Sequence, residues 1–336
     1  MSEVLVEEEY QRYKDCILQN VLDSDSVIQG SCATAIKNCD ALLYPNIYTL
    51  LKLAYTSPVT SAERRRLSND SFLLRKYGEI INDQEKRGFI ERIDNPTTST
   101  EHAHYIPHHS VKKDSATTPI RIVYDCSCRR SQDTPSLNDC LRKESPILND
   151  ISTLLMRFRE NRYAVVTDIE KAFLQITLDE KDRDMTRFFW LKDSTDPTSE
   201  LITYRFKAIL FGATCSPFIL NATLLKHLRE QSSHTSETLI DGLYVDNIIA
   251  GFDNTTELLK FYEESRALMT KGGFNLRSWA SNCTALNDLA TSQNVNDGDN
   301  CIKVLGLRWN TKDDRTQRYQ RRAKTDAVEK IRKCLK

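Results

Sequence analysis

The sequence predicts an α+β fold, an antiparallel sheet backed by helices, and three observations carry that expectation. Tyr163 to Ile169 is an unbroken β-rich run with an acid, Asp168, at its end. Leu239 to Gly251 sets two apolar runs on either side of Asp246-Asn247, the pattern of two short strands joined by a two-residue turn. The wider order is strand, acid and turn, then a glycine loop and helix, then the acidic hairpin, a helix and a strand. That order lacks the regular strand–helix alternation of a doubly wound sheet.

The elements follow along the chain. Residues 1 to about 60 give weak signals, a helix candidate from Glu3 to Leu18 and an apolar stretch from Tyr48 to Tyr55. Glu63-Arg64-Arg65-Arg66 is a short basic run, more often a solvated helix face than a binding patch. Phe72, Leu73, Tyr77, Ile80 and Ile81 fall at helical spacing, and the helix should stop near Gly88. Phe89 to Ile93 reads as a strand, Pro96 to His104 as a polar loop, and Lys112 to Thr118 as a hairpin-like connection. In the strand Pro119 to Asp125, Ile120, Ile122 and Tyr124 alternate with Arg121, Val123 and Asp125.

A helix from about Asp150 to Glu160 carries Ile151, Leu154, Leu155 and Phe158 on one face. After the Tyr163 strand the chain turns at Glu170 to Phe173 and should return as a strand over Leu174 to Leu178. Arg187 to Trp190 and Leu201 to Phe206 read as paired strands around a polar turn. Ser216 is the expected N-cap of a helix from Pro217 to about Glu230. Thr255 to Lys271 is a helix closed by Gly272-Gly273, residues 282–300 a polar loop, and Cys301 to Trp309 a strand.

Composition narrows the function classes. The 336 residues carry 47 basic and 47 acidic side chains, so no global charge argues for a nucleic-acid partner. The acidic start, Met1 to Tyr10, has no basic or apolar leader region, and no run of about 18 apolar residues suggests a membrane span. The expectation is an intracellular protein, cytoplasmic or nuclear and not secreted, with its ten cysteines reduced. His102, His104, His108, His109, Cys126 and Cys128 could be grouped as zinc ligands, but their spacing matches no common closed site.

Asp168 and Asp246 stand at strand ends, and each alone is an ordinary surface or capping acid. Together they suit a site in which carboxylates hold Mg²⁺ against a substrate's phosphates, because hard cations take oxygen ligands. Here a family pattern emerges. Asp168-Ile169-Glu170-Lys171-Ala172-Phe173-Leu174-Gln175-Ile176, Phe211-Gly212-Ala213-Thr214-Cys215-Ser216-Pro217-Phe218 and Tyr244-Val245-Asp246-Asn247 occur in that order. Tyr105-Ile106-Pro107-His108-His109 and Arg121-Ile122-Val123-Tyr124-Asp125 precede them. Gly273-Phe274-Asn275-Leu276-Arg277-Ser278-Trp279-Ala280-Ser281-Asn282 and Val304-Leu305-Gly306-Leu307-Arg308-Trp309 follow. Over roughly residues 70–312 the chain resembles the reverse transcriptase domain of BEL/Pao-type LTR retrotransposons.

The resemblance implies a right-hand polymerase with fingers, an antiparallel-sheet palm and the beginning of a thumb. Residues 1–68 stay unassigned, 69–160 would be fingers, 161–310 palm with 180–205 as a candidate fingers insert, and 311–336 a basic start of the thumb. From Lys312 to Lys336 ten basic residues face only Asp313, Asp314, Asp326 and Glu329, which suits a phosphate backbone as well as a solvated helix. The catalytic set implied is Asp168, Asp246 and Asn247, and two Mg²⁺ ions (or Mn²⁺) would be held by them with the carbonyl of Ile169. Arg121, Phe173, Phe211 and Gly212 would contact the incoming deoxynucleoside triphosphate, with Phe173 as the steric gate against a 2′-hydroxyl. Tyr244, Gly306, Leu307 and Trp309 would contact the primer on an RNA or DNA template, although a glycine and a tryptophan in a strand equally suit packing.

Asn247 departs from the family's box, which usually ends in a second acid. The implied activity is an RNA-directed DNA polymerase; the alternative is an inactive, decayed or domesticated nucleic-acid-binding remnant. An RNA-templated RNA polymerase predicts a small or acidic residue at the gate, and Phe173 is neither. With no Asp-Thr-Gly or Asp-Ser-Gly triplet and little chain after the last block, the expectation is a polymerase core alone.

Overall fold

Asp70 opens the first helix, α1 (Ser71–Lys86), by accepting the Leu73 backbone N–H at 2.9 Å, and Gly88 at φ +74° ends the exit turn. The computed structural model describes residues 67, 69–94, 103–112, 120–129 and 134–318. The expectations for residues 1–66, for most of the Thr-rich loop, for the 113–119 connection and for the basic run beyond 318 lie outside them. The buried stripe of α1 is Leu73, Leu74, Tyr77 and Ile81. Phe72, expected on that stripe, points away and is 51% exposed, because it lies one position off the 3.6-residue repeat set by Leu73 and Tyr77.

In chain order there follow β1 (Ile90–Ile93), β2 (His108–Lys112), β3 (Ile120–Tyr124), the single turn α2 (Leu137–Cys140), α3 (Ile151–Glu160) and β4 (Tyr163–Ile169). Next come α4 (Glu180–Arg183), β5 (Arg187–Leu191), β6 (Leu201–Phe206), α5 (Ser216–Gln231) and α6 (His234–Gly242). The remainder is β7 (Leu243–Tyr244), β8 (Asn247–Phe252), α7 (Thr255–Lys271), β9 (Leu276–Ser281), α8 (Thr284–Ser292), β10 (Cys301–Val304), β11 (Leu307–Asn310) and β12 (Arg315–Arg318).

Five local expectations need correction. The strand expected at Leu174–Leu178 is a 3₁₀ turn over Ala172–Gln175, entered through Lys171 in the left-handed region, and only Thr177 pairs, in a bridge with Ala208. The N-cap of α5 is Cys215, with Ser216 and Pro217 inside the first turn. Leu239 to Gly242 is the last turn of α6, nucleated by a Ser233/Ser236 capping box, and not a strand. The polar stretch 282–300 contains α8. Cys301 to Trp309 is a hairpin, with Leu305 (φ +42°) and Gly306 (φ +89°) as a two-residue turn between β10 and β11.

The chain divides into two compact units, one drawn from Met1–Arg142 with Thr177–Thr214 and the other from Lys143–Ile176 with Cys215–Lys336. The first holds an antiparallel sheet in the order β1-β6-β5 and the β2–β3 hairpin. Its core is aromatic: Tyr77 stacks on Trp190 at 4.4 Å, and the buried His108 lies among Tyr77, Tyr124, Phe188 and Trp190. His108 Nε2 faces the Phe189 carbonyl at 2.8 Å, so that nitrogen carries the proton and Nδ1 accepts from the Tyr77 hydroxyl. This spends His108 on the core, and among the described residues no group of three or more His, Cys, Asp or Glu is placed to hold a metal.

The second unit is built on a four-stranded sheet, β7-β8-β4-β9, antiparallel throughout. Ala164 and Val166 of β4, Ile249 of β8 and Ala280 of β9 share a buried cluster with Phe158 of α3 and with Ile302, Val304 and Trp309 of the β10–β11 hairpin. The other face of β4, Val165, Thr167 and Ile169, is buried as well. A strand covered on both faces explains why its sequence reads as a continuous apolar run. Two residues beyond Val166 on the same face comes Asp168.

Candidate active site

The tip of the β7–β8 hairpin sits one residue earlier than the sequence suggested. Tyr244 pairs with Asn247, so Val245 and Asp246 form the turn and Asn247 already belongs to β8. Val245 takes φ +57°, a conformation a β-branched residue adopts only under strain of about 1–3 kcal/mol. The result of that strain is positional. Asp246 is held beside the end of β4, where the Ile169 N–H donates to the Asp246 carbonyl at 2.8 Å.

Register fixes the rest. Asp168 lies opposite Asn247 on β8 and opposite Arg277 on β9. The β4–β9 pairing is irregular between Val166 and Asp168, and Ser278 in β9 stands at φ +53°. A bulge of this kind bends the strand and re-aims a side chain, here Arg277. Its guanidinium reaches Asp168 at 3.9 Å and Glu170 at 3.6 Å, while Asn275 donates to Glu170 at 2.9 Å. With 49% of the Arg277 side chain exposed, this ion pair contributes little.

The two carboxylates are under-compensated. Among the described residues Asp168 Oδ1 is buried with no hydrogen-bond donor. Asp246 Oδ1 accepts from the Asn247 amide at 3.0 Å. Burial, and then the charge of Asp168, push the Asp246 carboxyl above the usual carboxylate range. An orphaned anionic oxygen beside a second desolvated carboxylate is an all-oxygen donor set that fits a hard divalent cation such as Mg²⁺.

The nucleotide-side candidates belong to the first unit. Arg121 projects from β3 as an exposed side chain opposite Val111. Phe211 is 69% exposed, and Gly212 takes φ +108°, where a Cβ would also press on the Tyr124 carbonyl at 3.2 Å. Phe173 lies in the second unit with the aspartates, its ring buried in the 3₁₀ turn that follows β4.

The primer-side candidates belong to the second unit as well. Tyr244 is half-buried at the hairpin, and Gly306 and Leu307 sit at the β10–β11 turn. Trp309 is fully buried, packed edge-on against Phe158 at 4.7 Å with its indole N–H donating to Asp314 at 2.8 Å. Its side chain performs packing. Among the described side chains of that sheet, Cys301, Lys303, Arg308, Arg315 and Thr316 are exposed, and Lys303 and Arg308 lie directly opposite one another.

The family model for reverse transcriptase (RNA-dependent DNA polymerase) matches residues 111–308, more than half of the chain. The chain belongs to the reverse transcriptase family. No match was found among curated proteins. Reverse transcriptase domains have a polymerase palm, act on a nucleic-acid template and primer with deoxynucleoside triphosphates, and generally use divalent metals. The β7-β8-β4-β9 sheet is consistent with such a palm. Among the described residues no helix is long and apolar enough to cross a membrane.

Within this reverse transcriptase domain two residues beside the candidate site residues escaped sequence reasoning. Arg277 was quoted in a family block without a role, although its β9 register puts it directly opposite Asp168. Asn138, at the edge of an unremarkable polar stretch, makes two hydrogen bonds to the Gly212–Thr214 backbone. The sequence signal available for Asn138 was slight: an Asn three residues after the Pro135-Ser136 start of a short capped turn.

Proposed function

We propose that the chain is the RNA-directed DNA polymerase core of a BEL/Pao-type retrotransposon protein, adding deoxynucleotides to a primer 3′-hydroxyl at Asp168 and Asp246. The observation that carries this reading is the pairing of a donor-less Asp168 oxygen with Asp246, tied across the strands by the Ile169-to-Asp246 hydrogen bond. Asp168, Asp246 and the Ile169 carbonyl would hold two Mg²⁺ ions, which supply Lewis acidity toward the primer hydroxyl and the triphosphate. Asn247 offers the site an amide in place of a charge, and its hydrogen bond fixes the rotamer of Asp246.

Arg121 would pair with triphosphate oxygens, and Phe211 and Gly212 would border the incoming nucleotide. Tyr244, Gly306 and Leu307 would meet the primer, with Trp309 supporting that hairpin from the core. We assign 69–142 and 177–214 to fingers, which takes in the 180–205 insert, 143–176 and 215–310 to palm, and the basic segment from 311 to the start of a thumb. The packing of Phe158 of α3 with Val166 and Ile249 supports moving 143–160 to the palm. A second reading, an inactive nucleic-acid-binding remnant, draws on Asn247, since among the described residues no third acid is placed with the aspartate pair to hold a metal ion.

Primer extension on an RNA template tests the first reading. The protein should incorporate deoxynucleotides and reject ribonucleotides, and Phe173→Ala should relax that discrimination by about tenfold or more, because removing the ring removes the clash with the 2′-hydroxyl. No extension with either Mg²⁺ or Mn²⁺ sinks the enzyme reading in favour of the remnant. Extension with unchanged discrimination in Phe173→Ala sinks the gate.

A further inference from the structure

We propose that Asn138 is the positioning residue of the nucleotide loop, a carboxamide clamp that fixes the backbone of Gly212 and Thr214. The inference rests on the reading of Phe211 and Gly212 as nucleotide contacts. Asn138 is only 8% exposed. Its Nδ2 donates to the Gly212 carbonyl at 3.0 Å and to Ser127 Oγ at 2.9 Å, and its Oδ1 accepts the Thr214 N–H at 2.9 Å. One side chain therefore satisfies one carbonyl and one N–H of a loop that pairs with no strand over 211–214.

The clamp is itself fixed. The Asn138 N–H donates to the Cys126 carbonyl at 3.0 Å, and the turn that carries it is nucleated by the reciprocal Ser136–Asp139 capping box. On the other side the loop lies against β3, where a Cβ on Gly212 would stand 3.2 Å from the Tyr124 carbonyl and the φ of +108° strains any other residue. The same strand carries Arg121. Exposed Phe211 is thus presented from a backbone gripped at the next residue and again two residues beyond that.

The chemistry demands an amide. Gly212 presents an acceptor and Thr214 a donor, so the side chain between them needs one group of each kind. Aspartate keeps the shape and the acceptor but turns an anion toward the Gly212 carbonyl. Alanine leaves both backbone groups unpaired.

Hydrogen exchange by mass spectrometry on the full chain, with Asn138→Asp and Asn138→Ala, tests the clamp without reference to activity. Exchange at residues 211–214 should rise in both variants while α1 and the β5–β6 hairpin keep their protection. In primer extension the KM for deoxynucleotide should rise about tenfold with primer–template affinity unchanged, as expected when a contact surface loses its preorganisation. Unchanged exchange at 211–214 overturns the proposal. So does a rise spread evenly over the whole unit, which would make Asn138 a general support of the fold. Loosening of 211–214 with an unchanged KM supports the clamp and overturns the nucleotide-contact reading of the loop.

Discussion

Asp246→Asn will abolish primer extension and at the same time raise the melting temperature of the metal-free protein. The two effects have one origin. In the folded chain Asp246 is partly desolvated beside Asp168, and burial first and that neighbouring charge second raise its pKa. Such a carboxyl binds its proton more tightly in the folded than in the unfolded state. Its ionisation therefore opposes folding, and stability is lost as pH rises through the folded-state value. The neutral amide removes that opposition. We expect a gain of roughly 1–3 °C at neutral pH in the presence of a chelator. The gain should shrink on acidification through the carboxylate range, where wild-type Asp246 also becomes neutral.

Activity should move the other way. On the proposed reading Asp246 is one of two principal cation ligands, and its loss should lower the rate by about a thousandfold or more, equivalent to about 4 kcal/mol of barrier. Thermal melts across pH, run beside primer extension, check both halves. A variant that loses activity and stability together would mean that Asp246 is a structural acid.

Gly242→Ala should damage the second unit more than any substitution at the site itself. Gly242 closes α6 immediately before β7, and a Cβ there would stand 2.0 Å from the Ile249 carbonyl oxygen of β8. That oxygen belongs to backbone held in register with Val166 of β4, so it cannot yield without disturbing the central pair. We expect a loss of about 3 kcal/mol or more, read as a drop in the denaturant midpoint. Gly273→Ala is the comparison. It too imposes strain, at φ +79°, but its Cβ would meet open space, and the loss should stay near 1 kcal/mol. Equal losses at the two positions would show that the α6–β8 approach is not the constraint.

These residues also show what the sequence could and could not convey. β4 was legible because a strand buried on both faces has to be apolar throughout, and Asp168 stands out where that run ends. α7 was legible because Asn254, a long periodic stretch and Gly272-Gly273 all mark the same boundaries. The α6 boundary was not, because Leu239, Ile240 and Leu243 suit a strand as well as a helical turn, and the Ser233 cap that decides it lies six residues upstream. The hairpin turn was misread for a related reason. Asp-Asn is better turn chemistry than Val-Asp, but β8 must start at Asn247 to keep Ile248 and Ile249 in register with Thr167 and Val166, and tertiary packing overrides local preference. Asn138 was illegible because its partners lie 74 and 76 residues away.

Asp168 and Asp246 were singled out from the sequence as candidates, while the setting of Asn247 follows from the fold: a strand residue whose amide donates to Asp246. The most direct measurement is single-turnover primer extension on an RNA template with Mg²⁺, comparing wild type, Asn247→Asp and Asp168→Asn. Wild type should extend the primer, Asn247→Asp should extend it faster because a second charge strengthens cation binding, and Asp168→Asn should not extend it. Equal rates for wild type and Asp168→Asn, or no extension by any of the three, would contradict the polymerase reading.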